Sequence, residues 1–167
     1  MFPSDVTMNC SNDRPARIQD APLYHGTGLS SARNILANGV DLNRCSPGYF
    51  GTGFYCARDE ALARSNYADF CDEDGDEGVV LAIYLQRAAR ILDLRNETDF
   101  QRWREGHFEN AIGRPDFPYV MRHHGIDGLY DNSFQGVVIY NPTVIDVIRL
   151  CTRPDVDASS LRTHPAG

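Results

Sequence analysis

The stretch Ser46-Pro47-Gly48-Tyr49-Phe50-Gly51-Thr52-Gly53-Phe54-Tyr55-Cys56-Ala57 sets three glycines among four aromatic residues within twelve positions. Glycine next to an aromatic side chain on a strand lets a flat ring approach the backbone closely. A second motif, Tyr24-His25-Gly26-Thr27, lies upstream. Neither is a phosphate cradle, since the chain has no GxxxxGK(S/T) and no GxGxxG between a strand and a helix. Between the two motifs the pattern predicts a short helix, capped by Ser30 or Ser31, running through Asn38 and closed by Gly39 in a left-handed conformation.

Working outward, a strand is expected to start at Pro22 to Tyr24 and to end at His25-Gly26-Thr27-Gly28. Asp59 is the natural cap of a helix over Glu60 to Ala68, where Ala, Leu and Arg dominate. An acidic loop, Asp69 to Gly78, precedes the apolar run Val79 to Leu85, which reads as a strand, and a shorter strand is expected at Ile91 to Leu94. Helices are expected around Trp103 and over Val120 to His124. Sheet segments follow at Gly128 to Tyr130, Gly136 to Tyr140 and Val144 to Leu150. Short strands with clumped rather than alternating helices make this an α+β protein with a mostly antiparallel sheet.

At 167 residues, with 42% hydrophobic and 23% charged residues, the chain has the make-up of one globular domain. Residues 1–21 read as an arm, 22–152 as the domain and 153–167 as a tail rich in Pro, Ser and Asp. No apolar run is long enough to span a bilayer, and the N-terminus lacks the apolar stretch of a cleaved secretory signal. The net charge of −7 disfavours nucleic acid as a partner, which needs a basic face. All 16 basic residues are arginine, which fits either a GC-rich genome or a chain that must avoid lysine-directed modification in a host cell. Five cysteines without a CxxC pair read as reduced thiols, so the expected location is cytoplasmic, in the chain's own cell or, by a signal-peptide-independent route, a host's. The expected state is a monomer.

Backbone groups freed by the glycines could read an amide such as a carboxamide, with Tyr55 and Tyr67 closing on the two faces of its ring. The order Tyr-His-Gly-Thr, a helix ending in glycine, Phe-Gly-Thr-Gly-Phe-Tyr-Cys-Ala, then Arg64-Ser65-Asn66-Tyr67 resembles the catalytic domain of diphtheria-toxin-like ADP-ribosyltransferases, the group that contains the poly(ADP-ribose) polymerases. Gly136-Val137-Val138-Ile139-Tyr140-Asn141-Pro142 is similar to that family's last motif. The resemblance implies an ADP-ribosyltransferase fold with a split sheet and short flanking helices, and NAD⁺ as substrate with no metal. It implies that His25 bonds the adenosine ribose, that the Gly26 backbone holds the nicotinamide amide, and that Tyr55 and Tyr67 flank the nicotinamide ring. Tyr24, Thr27, Gly53 and Phe54 belong to the same motifs and are expected at the NAD⁺ site. Where the family's third motif opens with a glutamate that stabilises positive charge on the ribose, this chain has Gly136, preceded by Gln135. Gln135 is taken as the replacement, with Asp131 and Asp127 as alternatives.

The activity implied is mono-ADP-ribosylation of a protein acceptor, a host protein being conceivable and a threonine of ubiquitin one candidate, in the manner of a bacterial toxin or effector. NAD⁺ hydrolysis, an NAD⁺- or ADP-ribose-binding module without turnover, and an RNA 2′-phosphotransferase are the competing readings. His123-His124 is not read as a metal site, because adjacent helical residues point about 100° apart. The acidic loop fails as a calcium loop, having Glu77 where the sixth-position glycine belongs, and is expected to be solvated. Cys56 should point away from the face of Tyr55 and is not read as a nucleophile.

Overall fold

The computed structural model describes residues 17–151. Strand β1 (Leu23–Gly28) runs directly into helix α1 (Leu29–Asn38). A small ribbon of β2 (Pro47–Gly48) and β3 (Gly51–Thr52) leads into β4 (Phe54–Ala57). Helix α2 (Glu60–Ala63) continues without a break through a π-turn (Arg64–Ala68) into α3 (Asp69–Glu73). Then come β5 (Gly78–Leu85), β6 (Ile91–Asp93), α4 (Glu97–Glu105), α5 (Phe117–His123), β7 (Gly128–Asp131), β8 (Gly136–Ile139) and β9 (Ile145–Cys151). The seven long strands form one sheet in the order β6-β7-β8-β4-β1-β5-β9, with every neighbouring pair antiparallel except β6–β7. The protein is α+β with a mostly antiparallel sheet, as the residue pattern predicts.

The near-continuous apolar run of β5 is explained by its place between β1 and β9, with cores on both of its faces. One face packs Leu23, Phe54, Leu81, Ile83, Val137 and Ile139 against Ala32 and Ile35 of α1. The other packs Leu129, Val138 and Tyr140 against Trp103, Phe108, Phe117 and Met121 from the segments around α4 and α5. A third cluster joins Ala57 and Val80 to Ala63 and Ala68, seating the π-turn on the sheet. Burying each of the larger side chains stabilises the fold by about 1.5–3 kcal/mol.

The sheet opens in its middle. Six register pairs hold β1 to β5 and four hold β4 to β8, whereas β1 and β4 share one, Tyr24↔Ala57. The halves β6-β7-β8-β4 and β1-β5-β9 part beyond that pair.

Several local expectations are met. Gly39 sits at φ 81° and its N–H donates to the Ile35 carbonyl, ending α1. The Asp59 carboxylate accepts from the Ala61 N–H at 2.8 Å. Strand β1 ends at Gly28, inside the expected stretch, with all six of its residues paired to β5. Others are corrected. The cap position of α1 is Gly28, not Ser30 or Ser31, and Asp76 serves that helix start instead: its carboxylate accepts from the Ser30 hydroxyl at 2.7 Å. The Leu29 N–H donates to the Glu77 carbonyl at 2.7 Å. The acidic loop is largely exposed, as expected, and these bonds tie it to α1. The helix from Glu60 passes Ala68 and ends at Glu73. Residues 17–20 of the expected arm belong to the domain: Ile18 is buried in the core, and Arg17 and Gln19 donate to the carbonyls of Arg87 and Ala89. Residues 1–16 and 152–167, which hold most of the arm and all of the tail, lie outside the described residues.

Candidate functional site

A cavity of about 740 Å³ occupies the opening between β1 and β4 and extends under α1 and the β2–β3 ribbon. It is of the size and mixed character of small-molecule sites. His25, Gly26 and Thr27 of β1, Gly53, Phe54 and Tyr55 of the Gly-rich aromatic stretch, and Tyr67 of the π-turn all line it.

His25 is the hinge of the arrangement. Its Nδ1 lies 2.7 Å from the Tyr55 carbonyl oxygen, and its ring stacks at 4.1 Å, tilted, on Phe54. A carbonyl can only accept, so Nδ1 carries the proton and donates it. Burial holds the imidazole pKa below its ordinary value, against the opposing pull of that bond. The neutral ring then has an unprotonated Nε2, an acceptor for a ligand hydroxyl.

The strand alternation also positions Gly26. Arg58 donates its N–H to Gln135 on the β8 side, so Ala57 and Tyr55 face β1 and Tyr24 answers Ala57. Two residues on, Gly26 turns its own N–H and C=O toward the gap left by β4. Glycine is required there: a Cβ would lie 2.1 Å from the Ala63 carbonyl oxygen and 2.8 Å from the Tyr67 Cβ. The π-turn thus presses against β1 and brings Tyr67, about half exposed, to the cavity wall.

The Tyr55 hydroxyl donates to the Gly51 carbonyl at 2.6 Å and accepts from the Phe50 N–H at 3.0 Å. It ties the β2–β3 ribbon to β4, and burial pushes its pKa up to about 12, so it stays protonated. Its ring lies against Gly48, where a Cβ would stand 2.5 Å from it. Tyr140 braces the same ribbon from below, donating to the Phe50 carbonyl at 2.8 Å. Cys56 is buried on the opposite face of β4 from Tyr55, and burial pushes its thiol pKa strongly up, which suits a core residue.

Tyr24 and Gln135 are not brought to the cavity. The Tyr24 side chain points to the other face of β1, packed with Leu62 and Cys151 on the Ala57–Ala63 cluster. Gln135 sits at φ 49° in the β7–β8 turn with its side chain exposed, and its neighbour Phe134 reaches the cavity instead, packing on Phe50 and Tyr55. The alternatives to Gln135 are also placed elsewhere. Asp127 accepts from the Arg90 N–H and the Asn141 amide, and Asp131 accepts from Ser133. Asp41, at the far rim beside Arg44 and Cys45, is the one carboxylate among the described lining residues. Burial and the nearby Asp41 push the Cys45 thiol up to about 11.

The residue patterns missed Phe134 and the polar side of α1. Ser30, Ser31 and Asn34 line the cavity, and the 31/34/35 spacing is the helical signal that could have found them. No group of three or more His, Cys, Asp or Glu among the described residues is placed to hold a metal ion, and no described helix is long and apolar enough to cross a membrane. The chain matches no family model and no curated protein, which leaves the geometry of the cavity to carry the functional reading.

Proposed function

We propose that the chain is an NAD⁺-dependent mono-ADP-ribosyltransferase with the fold of that superfamily, which cleaves the nicotinamide–ribose bond and transfers ADP-ribose to a protein acceptor. The observation that carries the reading is the pairing of two groups at one sheet opening: a neutral His25 with a free Nε2, and a Gly26 backbone turned into the gap. The first is suited to a ribose hydroxyl. The second offers the donor and acceptor that a carboxamide needs. Tyr55 and Tyr67 on the same lining supply flat faces for a nicotinamide ring.

In the reaction the C–N bond to nicotinamide breaks and nicotinamide leaves with the bonding pair. Positive charge builds on the ribose, an acceptor oxygen or nitrogen attacks the anomeric carbon, and its proton passes to solvent. The chain's part is to hold the ring and both riboses in register for departure. A second reading, an NAD⁺-binding module without turnover, is favoured by one observation: the lining beside Tyr55 is Phe134 rather than a carboxylate.

The test is nicotinamide release from NAD⁺ labelled in its adenine ring, with and without cell lysate. Label on a discrete protein band is the expected result. Nicotinamide without label would make the chain a glycohydrolase, and binding without release would establish the second reading.

A further inference from the structure

A second cavity, of about 620 Å³, lies at the β6 edge of the sheet, between the turn at Ile18–Asp20, β6 and α4. Its charge runs against that of the molecule. Four arginines and two aspartates line it, in a chain whose net charge is −7. The wall of the first cavity, by contrast, carries one arginine and one aspartate.

One of the two aspartates, Asp93, is neutralised within the fold, and Asp99 keeps its charge, so three unpaired arginines stand against one carboxylate. Asp93 is held by Arg95 in an ion pair at 2.7 Å, with the Arg95 guanidinium lying over the Tyr130 ring. Asp99 accepts the Asp93 N–H at 2.9 Å. The other three arginines have no carboxylate partner among the described residues. Arg17 donates one N–H to the Arg87 carbonyl at 2.9 Å, and Arg102 one to the His124 carbonyl at 2.8 Å. Those neutral acceptors fix the direction of each guanidinium without cancelling its charge. Among the described residues the side chain of Arg90 has no hydrogen-bond or ion-pair partner, while its backbone N–H is anchored on Asp127. Each guanidinium has five N–H donors in a planar fork, so most of this donor capacity is unspent. Beneath the arginines, Ile18, Leu92 and Ile126 form an apolar floor.

We infer that this second cavity is a binding site for a small phosphate-bearing molecule, its phosphates held by Arg17, Arg90 and Arg102 and its organic body resting on the apolar floor. Several forked donors lining one cavity favour phosphate oxygens, which accept several charge-assisted bonds at once. The volume falls within the roughly 300–1,000 Å³ of small-molecule sites. This inference is independent of the NAD⁺ reading, since none of the cavity's lining residues is shared with the first.

The test is calorimetric titration of the full chain with inorganic pyrophosphate, ADP and a phosphoserine peptide at low ionic strength. Saturable binding of pyrophosphate and ADP is expected, weakened by about tenfold or more in R90A and R102A. R90K, which keeps the charge and loses the fork, should fall between wild type and R90A. Pyrophosphate binding should persist in H25A, which separates this site from the first cavity. The Arg90 side chain has no partner to lose among the described residues, so R90A should melt with the wild type and remains decisive even if R102A is less stable. The inference is overturned if neither pyrophosphate nor ADP binds, if binding is indifferent to both arginine variants, or if the phosphopeptide alone binds.

Discussion

The Nδ1–H of His25 donates to the carbonyl of Tyr55 across 2.7 Å, at the point where the ladder between β1 and β4 has given out. A side chain here replaces a backbone amide as the partner of a strand carbonyl. The exchange keeps the carbonyl satisfied while the strands stay apart, and it fixes which ring nitrogen faces the cavity. One bond thus serves both the opening of the sheet and the tautomer of the residue in it.

His25→Ala should lower nicotinamide release by about a hundredfold, because the ligand loses an acceptor and the opening loses its strut. Near-normal release in this variant would remove His25 from the site.

The pH dependence follows from the depressed imidazole pKa. In the unfolded chain the ring takes up a proton near its ordinary value of about 6.5, before the folded protein does. Stability contributed by the neutral ring is full above that value and is lost as pH falls through the folded pKa. Wild type should therefore lose more stability than His25→Gln between pH 7.5 and 5, measured by urea denaturation. NAD⁺ affinity should hold through the ordinary imidazole value and fall only as pH drops through the lower folded pKa, where protonated Nε2 no longer accepts.

Tyr55 separates into a ring and a hydroxyl. Tyr55→Phe removes the bonds to Phe50 and Gly51 and should cost about 1–2 kcal/mol of stability while retaining a flat face. Tyr55→Ala should also abolish nicotinamide release. Equal turnover in the two variants would show that the ring has no part in the site.

Gly26→Ala should destabilise by about 1–3 kcal/mol or displace the π-turn, since its Cβ meets the Ala63 backbone rather than a yielding side chain. Tyr67 would move with the turn, so both the denaturation midpoint and NAD⁺ binding should drop.

Gln135→Glu should leave nicotinamide release within about twofold of wild type, because the side chain is exposed and off the cavity. Gly136→Glu is the wrong repair: its Cβ would lie 2.3 Å from the Phe134 ring and 2.7 Å from the Cys56 carbonyl. That variant should express poorly, and a faster, well-folded Gly136→Glu would require a different β7–β8 turn.

The parts of the fold legible in the residues are those where one local rule decides. The apolar run of β5 could only be a buried strand, and Gly39 and Asp59 stop and start helices by their own chemistry. The two glycine motifs likewise meet at one cavity. What was not legible depends on neighbours distant in sequence. Tyr24 looks like a member of its motif, yet strand alternation, fixed by pairing with Ala57 and Ala82, sends it to the opposite face from His25. Ser30 resembles a cap until Asp76, 46 residues away, takes its hydroxyl. Phe134 reaches the cavity because its neighbour Gln135 adopts φ 49°, a conformation that glutamine's composition does not announce.

The π-turn at Arg64–Ala68 carries a consequence for how such a site could be altered. A π-turn holds one residue more than the α-helical path it replaces, and each residue of an α-helix advances the direction of its side chains by about 100°. Removing any one residue from this turn would let the segment relax into a regular helix. Either Ala63 would leave its seat against Gly26, or Tyr67 would swing off the cavity wall. A change in chain length of a single codon, with every side chain named above left intact, would then disassemble the pocket. At this turn the length of the chain, as much as its lettering, is what the site depends on.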